Sequence, residues 1–355
     1  MSLKLRLRAE ISAGGPIPIS RFMNACLHDP LDGYYATRPR LGEDGDFITA
    51  PMVSQMFGEL IGAWAVETWR GLGRPARLLL AEAGPGDGTL TSDVLRTGRL
   101  GAGFLAAAEL WLVETSAPLI AAQRTRLKQA GVEPRWAASL AELPSDAPII
   151  LVANEFLDCL PVRQFVRTAD GVAERAVGLG PAGELRFGLV PLPGETLPEG
   201  APIGAVVEVA AAQTDFAAEL ATRIVRQGGA GLLIDYGRDQ PGTGDTLQAL
   251  SRHRKVDPLA EPGAADLTVH ADFPGVLAAA RARGASTAIL GQGEFLRRLG
   301  VEVRARALAR AKPERADAIA RQLARLIDAD QMGELFKAAC LFAPGQPTPP
   351  GFESP

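Results

Sequence analysis

The densest chemical signal in the chain is Glu82-Ala83-Gly84-Pro85-Gly86-Asp87-Gly88, set directly after the apolar run RLLLAEAG (77–84). Glycines at alternate positions let a backbone turn sharply and approach a ligand closely. The segment that follows, TLTSDVLR, can open a helix whose first N–H groups attract an anion. The spacing is G-x-G-x-G rather than the G-x-G-x-x-G of a dinucleotide loop. An acid at Glu82 would repel a diphosphate and suits a ligand carrying a cationic amine or sulfonium. S-adenosyl-L-methionine (SAM) has both, with a carboxylate for the helix start and no phosphate. A second acid, Glu114, ends the apolar run ELWLVET (109–115), where an acid in a nucleotide-binding sheet accepts bonds from ribose hydroxyls. It lies further from Gly88 than the usual ~20 residues. A surface carboxylate closing a strand is the plainer alternative. A third cluster, Asn154-Glu155-Phe156-Leu157-Asp158, closes APIILVANEF (147–156). There Glu155 and Asp158, with the amide of Asn154, would meet a methyl acceptor. Helix capping by Asn154 is the competing use.

Other residues carry weaker signals. Glu208 in VVEVA is a further acid with a structural alternative of equal weight. Asp46, Phe47 and Thr49 belong to an aromatic, charged, glycine-rich loop that can close over a ligand; Gln55 and Glu59 open the helix beyond it. Asp235-Tyr236-Gly237 ends another apolar run. His28 and His270 are lone histidines, more often hydrogen-bonded structural residues than catalysts. Cys159 reads as a small buried filler.

These residues need a scaffold that brings several chain segments to one edge. Apolar runs at 77–84, 109–115, 147–156, 230–237, 286–292 and 336–342 read as buried strands, with helical stretches between them. Ser54–Arg70 places Phe57, Leu60, Ile61, Trp64 and Thr68 on one helical face, with Ser54 as its cap. Helices are also expected at 213–227, 274–283 and 314–328. Strand-helix alternation implies an α/β fold on a parallel sheet. The expected organisation is a helical N-terminal region 1–75, a main domain 76–343 with insertions at about 162–205 and 238–273, and a flexible tail 344–355.

Composition narrows the partners. The 355 residues carry 37 basic and 41 acidic side chains, a formal charge of −4, which argues against affinity for nucleic acid through a general basic surface. Three scattered cysteines and three histidines lack metal-ligand or disulfide spacing, so no metal is expected. No apolar run approaches the ~18 residues of a membrane span, and the N-terminus does not read as a secretory signal. A cytoplasmic protein without membrane insertion is expected.

Six segments, GDFITAP (45–51), SQMFGELIGAW (54–64), EAGPGDGTL (82–90), ANEFLDCLPV (153–162), LLIDYG (232–237) and LGQGEFLRRLG (290–300), together resemble the MidA family of SAM-dependent methyltransferases. The resemblance spans about residues 15–343. It implies a class I methyltransferase fold: a Rossmann-like, mostly parallel seven-stranded sheet with a reversed last hairpin, a helical N-terminal part and insertions. It also implies SAM as cofactor and methylation of arginine in a protein substrate. For mitochondrial members that substrate is a subunit of respiratory complex I, whose assembly they assist. Gly84, Gly86 and Gly88 match the SAM loop, Glu114 the ribose acid, and Asn154, Glu155 and Asp158 the family's Asn-Glu…Asp segment. The continuation after Glu208, VVEVAAAQ, is less polar than the family's. Two other classes stand beside this one: a non-catalytic SAM-binding chaperone, and a nucleotide-dependent oxidoreductase, which the tight glycine spacing and Glu82 oppose.

Overall fold

The computed structural model describes residues 1–37, 49–197 and 201–353. Contacts divide the chain into two compact units. One comprises Met1–Phe47, Asp158–Gln213 and Gln240–Asp272; the other comprises Ile48–Leu157, Thr214–Asp239 and Phe273–Pro355.

The second unit is built on the expected alternation. In chain order it contains α1 (Gln55–Gly71), β1 (Leu78–Ala83), α2 (Thr89–Gly98), β2 (Ala108–Val113), α3 (Ala117–Leu127), β3 (Pro134–Ala137) and β4 (Ile149–Asn154). It continues with α4 (Ala211–Gln227), β5 (Gly229–Arg238), α5 (Phe273–Ala282), β6 (Ser286–Gly291), α6 (Gln292–Arg298), α7 (Val301–Ala311), α8 (Ala316–Ile327) and β7 (Phe336–Phe342). The seven strands lie in the order β3-β2-β1-β4-β5-β7-β6. Neighbours from β3 to β5 are parallel, and β7 runs antiparallel to both β5 and β6. This is the class I methyltransferase arrangement. All six residues of β1 and of β4 are buried, as a parallel sheet covered on both faces requires. That is why LLLAEA and IILVAN are nearly continuous apolar runs.

α1 shows how sequence sets packing here. Ser54 caps it, its hydroxyl accepting from Met56 N, and the apolar face Phe57, Leu60, Ile61, Trp64 and Thr68 is buried. Gly58 and Gly62 bring α1 close to α2: a Cβ on Gly58 would stand 2.5 Å from Asp93 Cβ, and one on Gly62 2.8 Å from Thr97 Cβ. Glu59 accepts from Arg96 on α2 and, with both oxygens, from Arg304 on α7. Burial works to raise the Glu59 carboxyl, and the two guanidiniums outweigh it, holding it below its ordinary value. α1 therefore belongs with the sheet, although the expected boundary at 75 groups it with the N-terminus. The proline-rich tail is anchored too: the Phe352 ring is buried 4.9 Å from Phe295, so an apolar contact holds a segment expected to be loose.

The first unit combines helices Leu3–Gly14 and Ile19–His28 with two antiparallel sheets. Ile17–Pro18, Gly171–Leu179, Arg163–Thr168 and Val206–Val209 pair in that order, and Leu185–Pro191 pairs with Gly171–Leu179. Most of these strands come from the expected hairpin insertion at 162–205. The insertion at 238–273 supplies the small sheet Arg254–Val256, Gln248–Ser251, Asp266–Thr268. Leu7, Ile19, Phe22, Met23, Val177 and Leu267 form this unit's core, with Cys159 among them as a filler.

Candidate functional site

The strand order reverses direction in sequence at β1. From it the chain builds outward through β2 and β3 on one side, then returns to lay down β4 and β5 on the other. Ligands of open α/β sheets bind beyond the carboxyl ends of the strands at such a point. Register brings the sequence-singled residues of this unit to that edge. Ala83 pairs with Val113 on β2 and Ala153 on β4, and Asn154 pairs with Ile234 on β5. Gly84, Glu114 and Asn154 are therefore level with one another, one step beyond or at the end of three adjacent strands, and Asp235 stands one register step further on within β5.

The glycine loop leaves β1 with Gly84 N donating to Val113 O at 3.1 Å. Gly84, Gly86 and Gly88 have φ of +65°, +53° and +83°, conformations that L side chains avoid. A Cβ on Gly84 would also stand 2.8 Å from the Phe156 ring, which packs at 4.8 Å on Phe216. Asp87 ties the loop to the helices: Oδ1 accepts from Thr89 N (3.0 Å) and Thr89 Oγ1 (2.7 Å), and Oδ2 pairs with Arg126 (2.6 Å). Glu82 is buried, and its carboxyl accepts from the Thr91 hydroxyl on α2. Burial pushes its pKa up to about 7, against the opposing Thr91 hydrogen bond. The acid beside the loop is thus a fixture between β1 and α2.

Glu114 accepts at Oε1 from Thr115 N and Ser116 N, both 2.8 Å, and at Oε2 from Gln123 at 3.3 Å. Burial raises its pKa and these three bonds oppose the rise. The half-buried Glu155 holds φ at +52°. That region costs a non-glycine residue about 1–3 kcal/mol and clusters at functional sites. Its backbone N continues the ladder by donating to Ile234 O at 2.8 Å. Its Oε1 accepts from Ala50 N (2.9 Å) and Asn154 Nδ2 (3.0 Å), which fixes the carboxylate plane. The bond from Nδ2 orients the Asn154 amide and leaves its Oδ1 buried without a partner among the described residues, an acceptor that a bound donor can satisfy. Asp235 is fully buried and accepts from Leu157 N and Tyr236 N, so it braces the turn after β4.

Asp46 and Phe47 are outside the described residues. Thr49 precedes the short helix Ala50–Val53, whose first N–H is the one that reaches Glu155. Asp158 belongs to the first unit, where its carbonyl accepts from Val269 N. Glu208 also lies in that unit. It is buried and saturated by Gln164 Nε2 (2.8 Å), Thr246 N (3.0 Å) and Thr246 Oγ1 (2.7 Å), a structural pin between strands. His28 stacks on Tyr35, whose hydroxyl donates to Asp266. No cluster of metal-ligating side chains occurs among the described residues.

One polar residue of this edge escapes a sequence reading: Gln123, fully buried on α3. The available signal is that it occupies the middle of the buried stripe Leu119, Gln123, Leu127, where an apolar side chain is the default.

Residues 60–290 match the profile of a family described as S-adenosyl-L-methionine-dependent methyltransferase. The chain is 36% identical to "Protein arginine methyltransferase NDUFAF7 homolog, mitochondrial" of Drosophila melanogaster, over 96% of this chain and 85% of that protein. It is 35% identical to "Protein arginine methyltransferase NDUFAF7, mitochondrial" of Rattus norvegicus, over 93% and 82% respectively. A crystal structure from Burkholderia thailandensis with S-adenosylhomocysteine bound superposes with a TM-score of 0.84 at 29% identity, covering 99% of this chain and 92% of that one. The residues at the β1 edge fit such a cofactor: a loop of three glycines at positive φ, an anchored Glu114 carboxylate and the Asn154 Oδ1 acceptor. The chain belongs to this family and is a SAM-dependent methyltransferase.

Proposed function

We infer that this chain transfers a methyl group from SAM to an arginine side chain of a protein. Its two named relatives above are arginine methyltransferases by name, and the observation that carries the reading here is the Asn154-Glu155 pair at the end of β4. The loop Gly84, Gly86, Gly88 and the acid Glu114 would hold SAM. Bound there, SAM supplies a methyl group on a sulfonium whose sulfur departs as a neutral thioether. A guanidinium is always protonated in water, with a pKa above 12. Glu155, its plane fixed by Ala50 N and Asn154 Nδ2, would hold that guanidinium by charge-assisted hydrogen bonds. It would take the proton that the nitrogen loses as the new N–C bond forms. The Asn154 Oδ1 acceptor would take a further N–H of cofactor or substrate. Glu208, whose carboxylate is taken up by Gln164 and Thr246, receives no role here.

The resemblance to the MidA family, whose mitochondrial members assist complex I assembly, motivates a link to that complex. We propose a complex I subunit as the acceptor. Two experiments test this. Calorimetry measures SAM and S-adenosylhomocysteine binding. Mass spectrometry of complex I subunits, from cells with and without the gene, then looks for a methylarginine that disappears with it. Binding without any lost methylarginine in these subunits would overturn the complex I acceptor.

A further inference from the structure

Gln123 joins the two halves of the cofactor edge. The side chain is fully buried on α3. Its Nε2 donates to Gly86 O at 2.7 Å and to Glu114 Oε2 at 3.3 Å, so both N–H groups of one amide are engaged. Its Oε1 accepts from Trp136 Nε1 on β3 at 2.7 Å. An indole nitrogen only donates, so Trp136 fixes which way round the amide sits. The aliphatic stem lies under Gly88, where an added Cβ would stand 3.5 Å from Gln123 Cγ. One residue therefore touches the second and third loop glycines and the acid at the end of β2, and a residue on a third strand orients it.

A burial-only role would be served better by leucine, since an amide removed from water costs free energy unless every group is paired. Here the pairing is complete, and two of its three partners belong to the cofactor edge. We propose that Gln123 is a positioning residue, oriented by Trp136, that locks the Gly86 carbonyl and the Glu114 carboxylate in the geometry that binds the SAM nucleoside. This rests on the reading of that edge as the SAM site. Among the described residues, the carboxylate would otherwise keep Thr115 N and Ser116 N alone, both on one oxygen.

The test is a double-mutant cycle on S-adenosylhomocysteine affinity, measured by calorimetry on the full chain. Four proteins are compared: wild type, Gln123→Leu, Glu114→Ala and the double variant. Gln123→Leu conserves the buried volume, and thermal unfolding without ligand checks that each variant is folded. We expect Gln123→Leu and Glu114→Ala each to weaken binding about tenfold or more. In the Glu114→Ala background, Gln123→Leu should weaken it by much less, because part of its action runs through the missing carboxylate. Trp136→Phe removes only the outer hydrogen bond and should give a smaller loss in the same direction. Equal effects of Gln123→Leu in both backgrounds, or none in either, would refute the proposal. If wild type fails to bind, or Glu114→Ala binds normally, the fault lies with the site assignment itself. If Gln123→Leu does not fold, Gln123→Glu takes its place: it keeps the shape and the Trp136 contact but sets an acceptor against Gly86 O and Glu114, and must lose affinity.

Discussion

At the residue scale the claim with most consequence concerns Glu155. It is a non-glycine residue at φ +52°, held by Ala50 N and Asn154 Nδ2. Glu155→Gln keeps the shape and removes the charge that would grip a guanidinium and accept its proton. Turnover should fall by about a hundredfold or more, while affinity for S-adenosylhomocysteine stays within a few-fold. Weakened binding with intact turnover would reverse the assignment. Glu82 makes a different prediction, about pH. Burial raises its pKa from 4.5 to about 7 in the folded chain. Below 4.5 it is neutral in both states and contributes nothing. Between 4.5 and 7 the unfolded chain has released the proton that the folded chain still holds, so stability falls as pH rises. Above 7 the loss is complete, about 3 kcal/mol. Glu82→Gln should therefore stabilise the ligand-free protein by roughly 2 kcal/mol more at pH 8 than at pH 5 in chemical denaturation. A gain that does not change with pH would rule out a buried, titrating carboxyl.

At the element scale, close approach of α1 to α2 rests on glycine. Alanine is the better helix former by about 1 kcal/mol. Even so, Gly58→Ala should destabilise by about 1–3 kcal/mol, because its Cβ would stand 2.5 Å from Asp93 Cβ. Gly71→Ala is the control, with nothing within 4 Å of the new Cβ, and should be neutral or mildly stabilising in thermal unfolding. Equal effects at the two sites would mean that α1 and α2 are further apart. The same elements show what the sequence discloses. β1, β4 and β5 are buried on both faces, so their apolar runs stand out, and β7 matches its expected span 336–342. β3, PRWA, is short and half-buried at the sheet edge, and carries no such run. The strands between 248 and 268 are only three or four residues long, too short for period-two alternation to be readable.

At the scale of the whole molecule, the glycine loop and the Asn154-Glu155 turn were legible because their residue types are uncommon at strand ends. Two things were not. Gln123 sits in an apolar stripe, where its polarity matters only once Gly86, Glu114 and Trp136 are known to surround it. Glu208 reads as a site acid from its place near a strand end. Its carboxylate is taken up by Gln164 and Thr246, which come from distant chain segments, and no spacing rule predicts that grouping.

The measurement closest to the centre is transfer of isotopically labelled methyl from SAM to protein, in extract from cells lacking the gene, with the labelled residue identified by mass spectrometry. Purified wild type should label an arginine guanidinium nitrogen, and Glu155→Gln should not, although it binds S-adenosylhomocysteine normally. Label on lysine or a carboxylate, or full labelling by Glu155→Gln, would contradict the assignment of Glu155 to an arginine acceptor.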